Sequence, residues 1–334
     1  MERKYGISRI NTIRFGVYIC IKMHSLLMRA VGSPRSGKLD PVEPGDNVRP
    51  YRNVFVILAV FLFAAVPSYS QTGTNAGGGS DPGYFASWFK RVDKTQAEQP
   101  HWATPLATTT PRLEEEFRLD TLWQTNNSGI TTENYGGAKG LELIPAERVE
   151  VILVAPPAYI VHNDSLVRDG FGDWGFLVKY RILSSNEEKA KYILTAFFQT
   201  TFPTGQYKNG ATDAIITPTI AYGKGFGAFD IQGTFGVTLP TGNEAAIGRT
   251  YPWNNAFQYH LYRKFWPEVE VNYTHFQDGP SSGQTQVFMT PGLVIGRIHL
   301  WKRLAVTVGG GIQIATTRFH RNNHNGILSV RFPF

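Results

Sequence analysis

His162, Asp164 and Ser165 stand together in the stretch HNDS, and their side chains are those of a hydrolytic triad. No nucleophile elbow surrounds the serine and the stretch lies between expected strands, so nothing there would align base and nucleophile. His320 and His324 in HRNNH have the i, i+4 spacing that places two imidazoles on one helix face, but this stretch reads as a loop, where the spacing does not converge on a metal. GKGFGAF shares only its glycines with a phosphate-cradling loop; no helix follows, and a β-turn is expected. Glu114, Glu115 and Glu116 read as a solvated charge run at a strand start, and no two carboxylates are spaced for acid–base work. The sequence therefore predicts no catalytic residue, no metal and no cofactor, and the chain is not read as an enzyme.

What recurs instead is alternation with period two. In FDIQGTFGVTL, Phe229, Ile231, Phe235, Val237 and Leu239 share one face, while Asp230, Gln232, Thr234, Gly236 and Thr238 share the other. In NGILSVRFPF, Leu328, Val330, Phe332 and Phe334 share a parity and Ser329, Arg331 and Pro333 oppose them. About ten residues at ~3.3 Å each, tilted near 45°, cross a bilayer core. Twelve such segments are expected, near 114–123, 140–145, 147–155, 173–183, 191–202, 213–223, 228–239, 255–264, 268–277, 284–297, 304–316 and 325–334. An even count of alternating strands predicts an all-β, antiparallel, transmembrane up-and-down β-barrel. In lipid only a closed ring satisfies every strand N–H and C=O. The first parity would then face lipid. The second would face a lumen carrying Glu116, Arg118, Asp120, Arg148, Glu150, Lys179, Arg181, Asp230, Gln232, His260, Glu268, Glu270 and Arg331. On this facing, Phe235→Arg is expected to cost roughly 2–4 kcal/mol and Gln232→Arg to be mild.

The connections support the count. SSNEEKAK, GKGFG, FWPE and GRIHLWKR are short; QTNNSGITTENYGGAK, PPAYIVHNDSLVRDGFG, PTGQYKNGAT, PTGNEAAIGRTYPWN, QDGPSSG and RFHRNNHNG are mostly longer and polar. The short set is expected on the periplasmic side with both termini, and the long set outside. TTFPTG and VTLPTG lie 37 residues apart, as though Pro-Thr-Gly marked where a strand leaves the membrane. Pro218 and Pro291, inside strands, predict bulges.

Aromatic content of 13% with only 18% charged residues suits strands rather than helices. Residues 1–52 carry a net charge of +6 and the remainder only +1, so the basic balance does not point to nucleic acid. Residues 53–70, NVFVILAVFLFAAVPSYS, read as a signal-peptide core and cleavage region with cutting before Gln71. The leader before it suggests a translation start downstream of Met1, near Met28 or Val48. Cys20 is the only cysteine and lies in that leader, so a mature chain would have neither disulfides nor thiol chemistry. Residues 71–112 are Gly-rich, then Pro-punctuated, and read as a periplasmic linker. Its Trp88, Phe89 and Trp102 are able to dock a short amphipathic piece, but a plain tether is the simpler reading. The barrel is expected over 113–334.

The runs LELIPAERVEVILVAPPAY, GFGDWGFLVKYRIL and FFQTTFPTG, with a second LPTG after GAFDIQGTFGVT, resemble in their order the MetA-pathway phenol-degradation family of outer-membrane β-barrel transporters. The likeness runs over about 114–334. It implies a porin-like barrel in the bacterial outer membrane that passes small, often hydrophobic or aromatic, compounds. The partners expected are outer-membrane lipid, barrel-assembly machinery reading the C-terminal strand, and a small-molecule solute; nucleic acid is not among them. Two other functions are open to the same strands: a structural or adhesive barrel plugged by its own ion pairs, and a lipid hydrolase, for which His275 and His299 are the only histidines near suitable strand ends.

Overall fold

The computed structural model describes residues 83–137, 139–162, 164 and 168–334. The leader with Cys20, the signal region, residues 71–82 and Ser165 lie outside them. The strands are β1 (Glu116–Asn126), β2 (Thr131–Tyr135), β3 (Gly140–Ala146), β4 (Val149–Val154), β5 (Ala158–His162), β6 (Gly170–Phe171), β7 (Trp174–Ser185), β8 (Tyr192–Phe202), β9 (Ile215–Phe226), β10 (Phe229–Gly236), β11 (Leu239–Pro240), β12 (Thr250–Tyr259), β13 (Phe265–Phe276), β14 (Thr285–Trp301), β15 (Leu304–Ala315) and β16 (Asn322–Pro333). Helix α1 (Trp88–Ala97) precedes them.

Twelve of these strands form one antiparallel ring in the order β1-β3-β4-β7-β8-β9-β10-β12-β13-β14-β15-β16. β16 returns to β1 in register from Glu116 opposite Pro333 to Thr125 opposite His324, which closes the cylinder and leaves no open edge. β2, β5 and β6 continue the wall beyond the ring: β2 takes over from β3 along β1, β5 pairs with β2, and β6 with β5. The first two long connections therefore carry strands of their own.

Several boundaries depart from the expected pattern: β9 runs on to Phe226 and β14 to Trp301, so most of GKGFG and of GRIHLWKR lies in strands and not in turns. β12 begins at Thr250, because Pro252 is accommodated in the strand opposite Thr274, and it ends at Tyr259. The turn falls at 260–264, so His260 lies outside the strand and is exposed at the mouth, where its ring stacks on the buried Trp266 at 4.0 Å and borders the same cavity as Glu116 and Arg331. Arg148 likewise sits in the two-residue turn between β3 and β4 and is exposed. In both cases parity was carried past the end of the strand. Pro218 and Pro291 cause no bulge. Pro218 accepts from Val237 N at 3.1 Å and returns no bond, at the break between β10 and β11, and Pro291 lies where the β14–β15 ladder skips residues; the register is the same on either side of both. The register shifts along β14 occur beyond Ile295 instead.

Burial alternates along each wall strand. The outward residues include Leu153, Phe198, Ile220, Phe235, Trp253, Phe257, Met289, Leu293, Ile312 and Leu328, all exposed. Leu239 is exposed too, while Phe229, Ile231, Val237, Val330, Phe332 and Phe334 are half-buried. A continuous apolar skin of this extent is the outer face of a transmembrane barrel.

Candidate functional site

An eight-stranded ring is filled by its own side chains; twelve strands enclose more room than they fill. The extra room is occupied by the chain itself. Residues 98–112 of the stretch expected to be a linker, with 113–115, which were expected in the barrel, run into the lumen from the short-turn side and return to β1 as an extended strap. Trp102, Leu106 and Leu113 on it are buried, as are Thr104, Thr108, Thr110 and Arg112.

Glycines on the inner wall make the seats. A Cβ at Gly223 would stand 2.5 Å from the Trp102 ring, and one at Gly292 would stand 2.4 Å from Leu106 Cδ1; Gly309 and Gly311 crowd the same leucine. Trp102 and Leu106 cluster there with Ile193, Trp266, Val294 and Ile327; a second apolar cluster holds Ile152, Val154, Leu177, Phe197 and Ala221.

The remaining contacts are polar, and they meet the strap's backbone. Glu268 accepts from Leu106 N at 3.1 Å, and Glu270 accepts from Ala107 N and Thr108 N at 2.7 and 2.6 Å. Arg118 donates to Leu106 O at 2.7 Å, and Arg331 donates to Pro105 O at 2.8 Å and to Thr104 O. Lys179 reaches Arg112 O, Thr195 reaches Pro111 O, and Gln232 bridges Ala103 O to Thr110. An extended segment has no sheet partners of its own, so these side chains supply what its N–H and C=O groups need. Hydrogen bonds to charged groups each contribute about 1.5–3 kcal/mol.

Of the expected lumen residues, Glu116, Arg118, Asp120, Glu150, Lys179, Arg181, Asp230, Gln232, Glu268, Glu270 and Arg331 are all buried. Several also pair with one another: Arg118 with Asp120 at 2.8 Å, and Lys179 with Glu150 at 2.9 Å. Gln232 is fully enclosed beneath the strap, which corrects the expectation that Gln232→Arg would be mild. Farther toward the long loops the inner wall changes character. Thr234, Asn254, Asn272, Gln313 and Asn325 link side chain to side chain in an uncharged ladder, and Asn272 also reaches Thr108 at the strap's tip.

Helix α1 lies across the short-turn mouth. Val92 packs on Leu113 and Ile144. Trp88 Nε1 donates to Glu115 at 2.6 Å, Lys94 pairs with Glu147, and Arg303 pairs with Asp93. Glu114, Glu115 and Glu116 are thereby enclosed rather than solvated, because helix and strap fold back over the strand start. Burial pushes the Glu115 carboxyl up to about 7, against bonds from Trp88 and Ile144 that lower it. His101 ties the strap's beginning to Glu187 in the β7–β8 turn through its ring and its backbone N–H, both at 2.7 Å. Burial raises the Glu187 carboxyl, but the two bonds outweigh it and hold the group below its ordinary value.

Among the described residues, histidines of these motifs bond to near neighbours. His162 faces Glu133 at 3.5 Å, at the end of β5. His320 bonds Thr317 O and Asn323 Oδ1, His275 bonds Thr285, and His299 bonds Lys302 O. Among the described residues no three His, Cys, Asp or Glu side chains gather as a metal site would need.

No family model matches the chain. No curated protein matches it either. Among solved structures, an outer membrane channel from Pseudomonas putida F1 is similar at 15% identity and a TM-score of 0.49, over 77% of this chain and 100% of that one. OmpF of Salmonella typhi, in complex with daunomycin, is similar at 9% identity and a TM-score of 0.33, over 66% of this chain and 96% of that one.

Proposed function

We propose that this chain is an outer-membrane channel for small molecules whose bore is narrowed by its own strap. The strap carries this reading: it fills the lumen, yet it is stitched there mainly through backbone hydrogen bonds to side chains of the wall. Water is nearly as good a partner for such bonds, so displacing the strap would leave its wall groups satisfied. The uncharged ladder beyond the strap supports passage of neutral solutes with few charges to shed. The resemblance to the MetA-pathway phenol-degradation family supports the same membrane and suggests small hydrophobic or aromatic compounds as cargo.

A second reading has one observation in its favour: with the strap seated, the barrel is a plugged structural body. Planar-bilayer recording decides between them. The intact chain should give small, brief conductance steps, and a chain lacking residues 98–112 should give steps at least severalfold larger. A silent intact chain that also excludes small neutral solutes from proteoliposomes would sink the channel reading in favour of the plug.

A further inference from the structure

We infer that the outer rim of the barrel at the β9–β10, β12–β13 and β14–β15 turns is a docking surface for anionic phospholipid. The inference rests on the reading of this chain as a membrane barrel and is independent of whether the bore conducts.

The apolar skin runs on past the ring at this rim. β14 pairs with β13 only as far as Ile295 opposite Phe265, yet β14 and β15 continue as a hairpin with Ile298 opposite Val306 and Trp301 opposite Leu304. Val306 lies two residues from Val308, which is exposed on the outer face, so Ile298 is carried on that same face. Trp301 is exposed at the hairpin's end. Around the β12–β13 turn Tyr259, Leu261, Tyr262 and Phe265 are exposed, and at the β9–β10 turn Phe226. Aromatic rings along such an edge sit at the depth of lipid head groups.

Each of these turns adds a lysine to its aromatic residues. Lys302 Nζ stands 4.4 Å from the centroid of the Trp301 ring, and Lys224 Nζ 5.8 Å from that of Phe226. Lys264 is exposed beside Phe265. Lys224 also donates to Ala190 O at 2.5 Å, a bond that does not cancel its charge. No Asp or Glu occurs in residues 214–229, 259–267 or 279–316. Asp230 and Glu268, the next in line, are buried on the inner wall. Arg303 is taken up by Asp93 of α1, and Arg263 and Arg297 line the cavity at the mouth instead. The other short turns are mixed: β3–β4 carries Glu147 with Arg148, and β7–β8 carries Glu187 and Glu188 with Lys189 and Lys191.

The rim from β9 to β15 is therefore apolar, aromatic and positive, with no carboxylate in its own segments. Acyl chains complement the skin. Phosphates complement the lysines, whose stems lie along apolar surface while their ammonium groups reach the head groups. A phosphate balanced by a cation within its own head group answers less well than one with net negative charge.

The test places the full chain in phosphatidylcholine vesicles that contain a minor share of brominated lipid, either phosphatidylcholine or phosphatidylglycerol. Trp301 emission, taken as the difference between the chain and its Trp301→Phe variant, reports which lipid stands beside the rim. A lysine near a membrane surface favours anionic lipid about fivefold. Quenching should therefore correspond to at least about a fivefold local enrichment of phosphatidylglycerol, and the enrichment should shrink in high salt. Lys224→Gln, Lys264→Gln and Lys302→Gln together should bring the two lipids to parity while heat-modifiable gel mobility stays normal, and Lys189→Gln should leave the preference as it is. Equal quenching by the two lipids, an undiminished preference in the triple variant, or a preference lost as fully with Lys189→Gln would each overturn the inference and leave the membrane reading intact. No quenching of any tryptophan by either lipid would overturn the membrane reading and the inference with it.

Discussion

Phe235 and Gln232 lie three residues apart on β10 and face opposite worlds. Phe235 is half exposed on the outer skin and Gln232 is fully enclosed beneath the strap. Phe235→Arg should lower stability in detergent or lipid by about 2–4 kcal/mol, as measured by denaturant-dependent refolding into vesicles. Gln232→Arg should fold the wall normally but dislodge the strap, because an arginine there collides with Ala103 and Thr110; added protease sensitivity over 98–112 with an unchanged barrel checks it. Glu115 supplies a pH dependence. Its carboxyl ionises near 7 in the folded chain against an ordinary 4.5, so the charged form is the disfavoured one. Docking of α1 is firmest below about pH 4.5, weakens as pH rises from there, and reaches its weakest above about 7. The fluorescence difference between the chain and its Trp88→Phe variant should follow that rise, and Glu115→Gln should flatten it.

The strap is held by partners drawn from strands far apart in sequence, with Glu268 and Glu270 on β13, Arg118 on β1 and Arg331 on β16. Glu270→Ala leaves two strap N–H groups without partners, at about 1–3 kcal/mol each. Limited proteolysis should then cut near Thr108 while the β-barrel core resists, and an uncut strap would argue that the apolar seats of Trp102 and Leu106 suffice alone. The Pro-Thr-Gly repeat has a plain structural meaning. At its first copy the Asp173 carboxylate accepts from Thr204 N, Gly205 N and Ala211 N, fixing the loop that leaves β8. Gly205 is required because a Cβ there would stand 2.5 Å from Gly210 Cα. Most strands were readable because one face meets water-like polarity and the other lipid-like apolarity. β12 was misplaced because a proline inside a strand looks, from sequence, like the end of a loop.

Closure joins the first and last wall strands over ten consecutive residue pairs, Glu116–Thr125 against Pro333–His324. A ring without an edge unfolds as a unit, so the chain in mild detergent should migrate on gels at one position unheated and at another after boiling. Identical mobility before and after heating, together with solubility in plain buffer, would be incompatible with this architecture. Filling the bore also changes what the charges mean. In an open pore the acidic and basic residues would face water. Here they sit in a packed interior where pairing and backbone contacts are obligatory, and they specify where the strap lies more than they add stability.

Alternation along single strands was enough to settle the all-β class, the twelve-strand count, most strand limits and which parity is buried, since each depends only on near neighbours and on the contrast between solvent phases. The strap, the enclosure of Glu114–Glu116 and the mouth cavity were invisible in the linear text. A Pro-punctuated stretch with no period makes its contacts across the bore, to partners as many as 227 residues away, and only the closed ring brings those partners together.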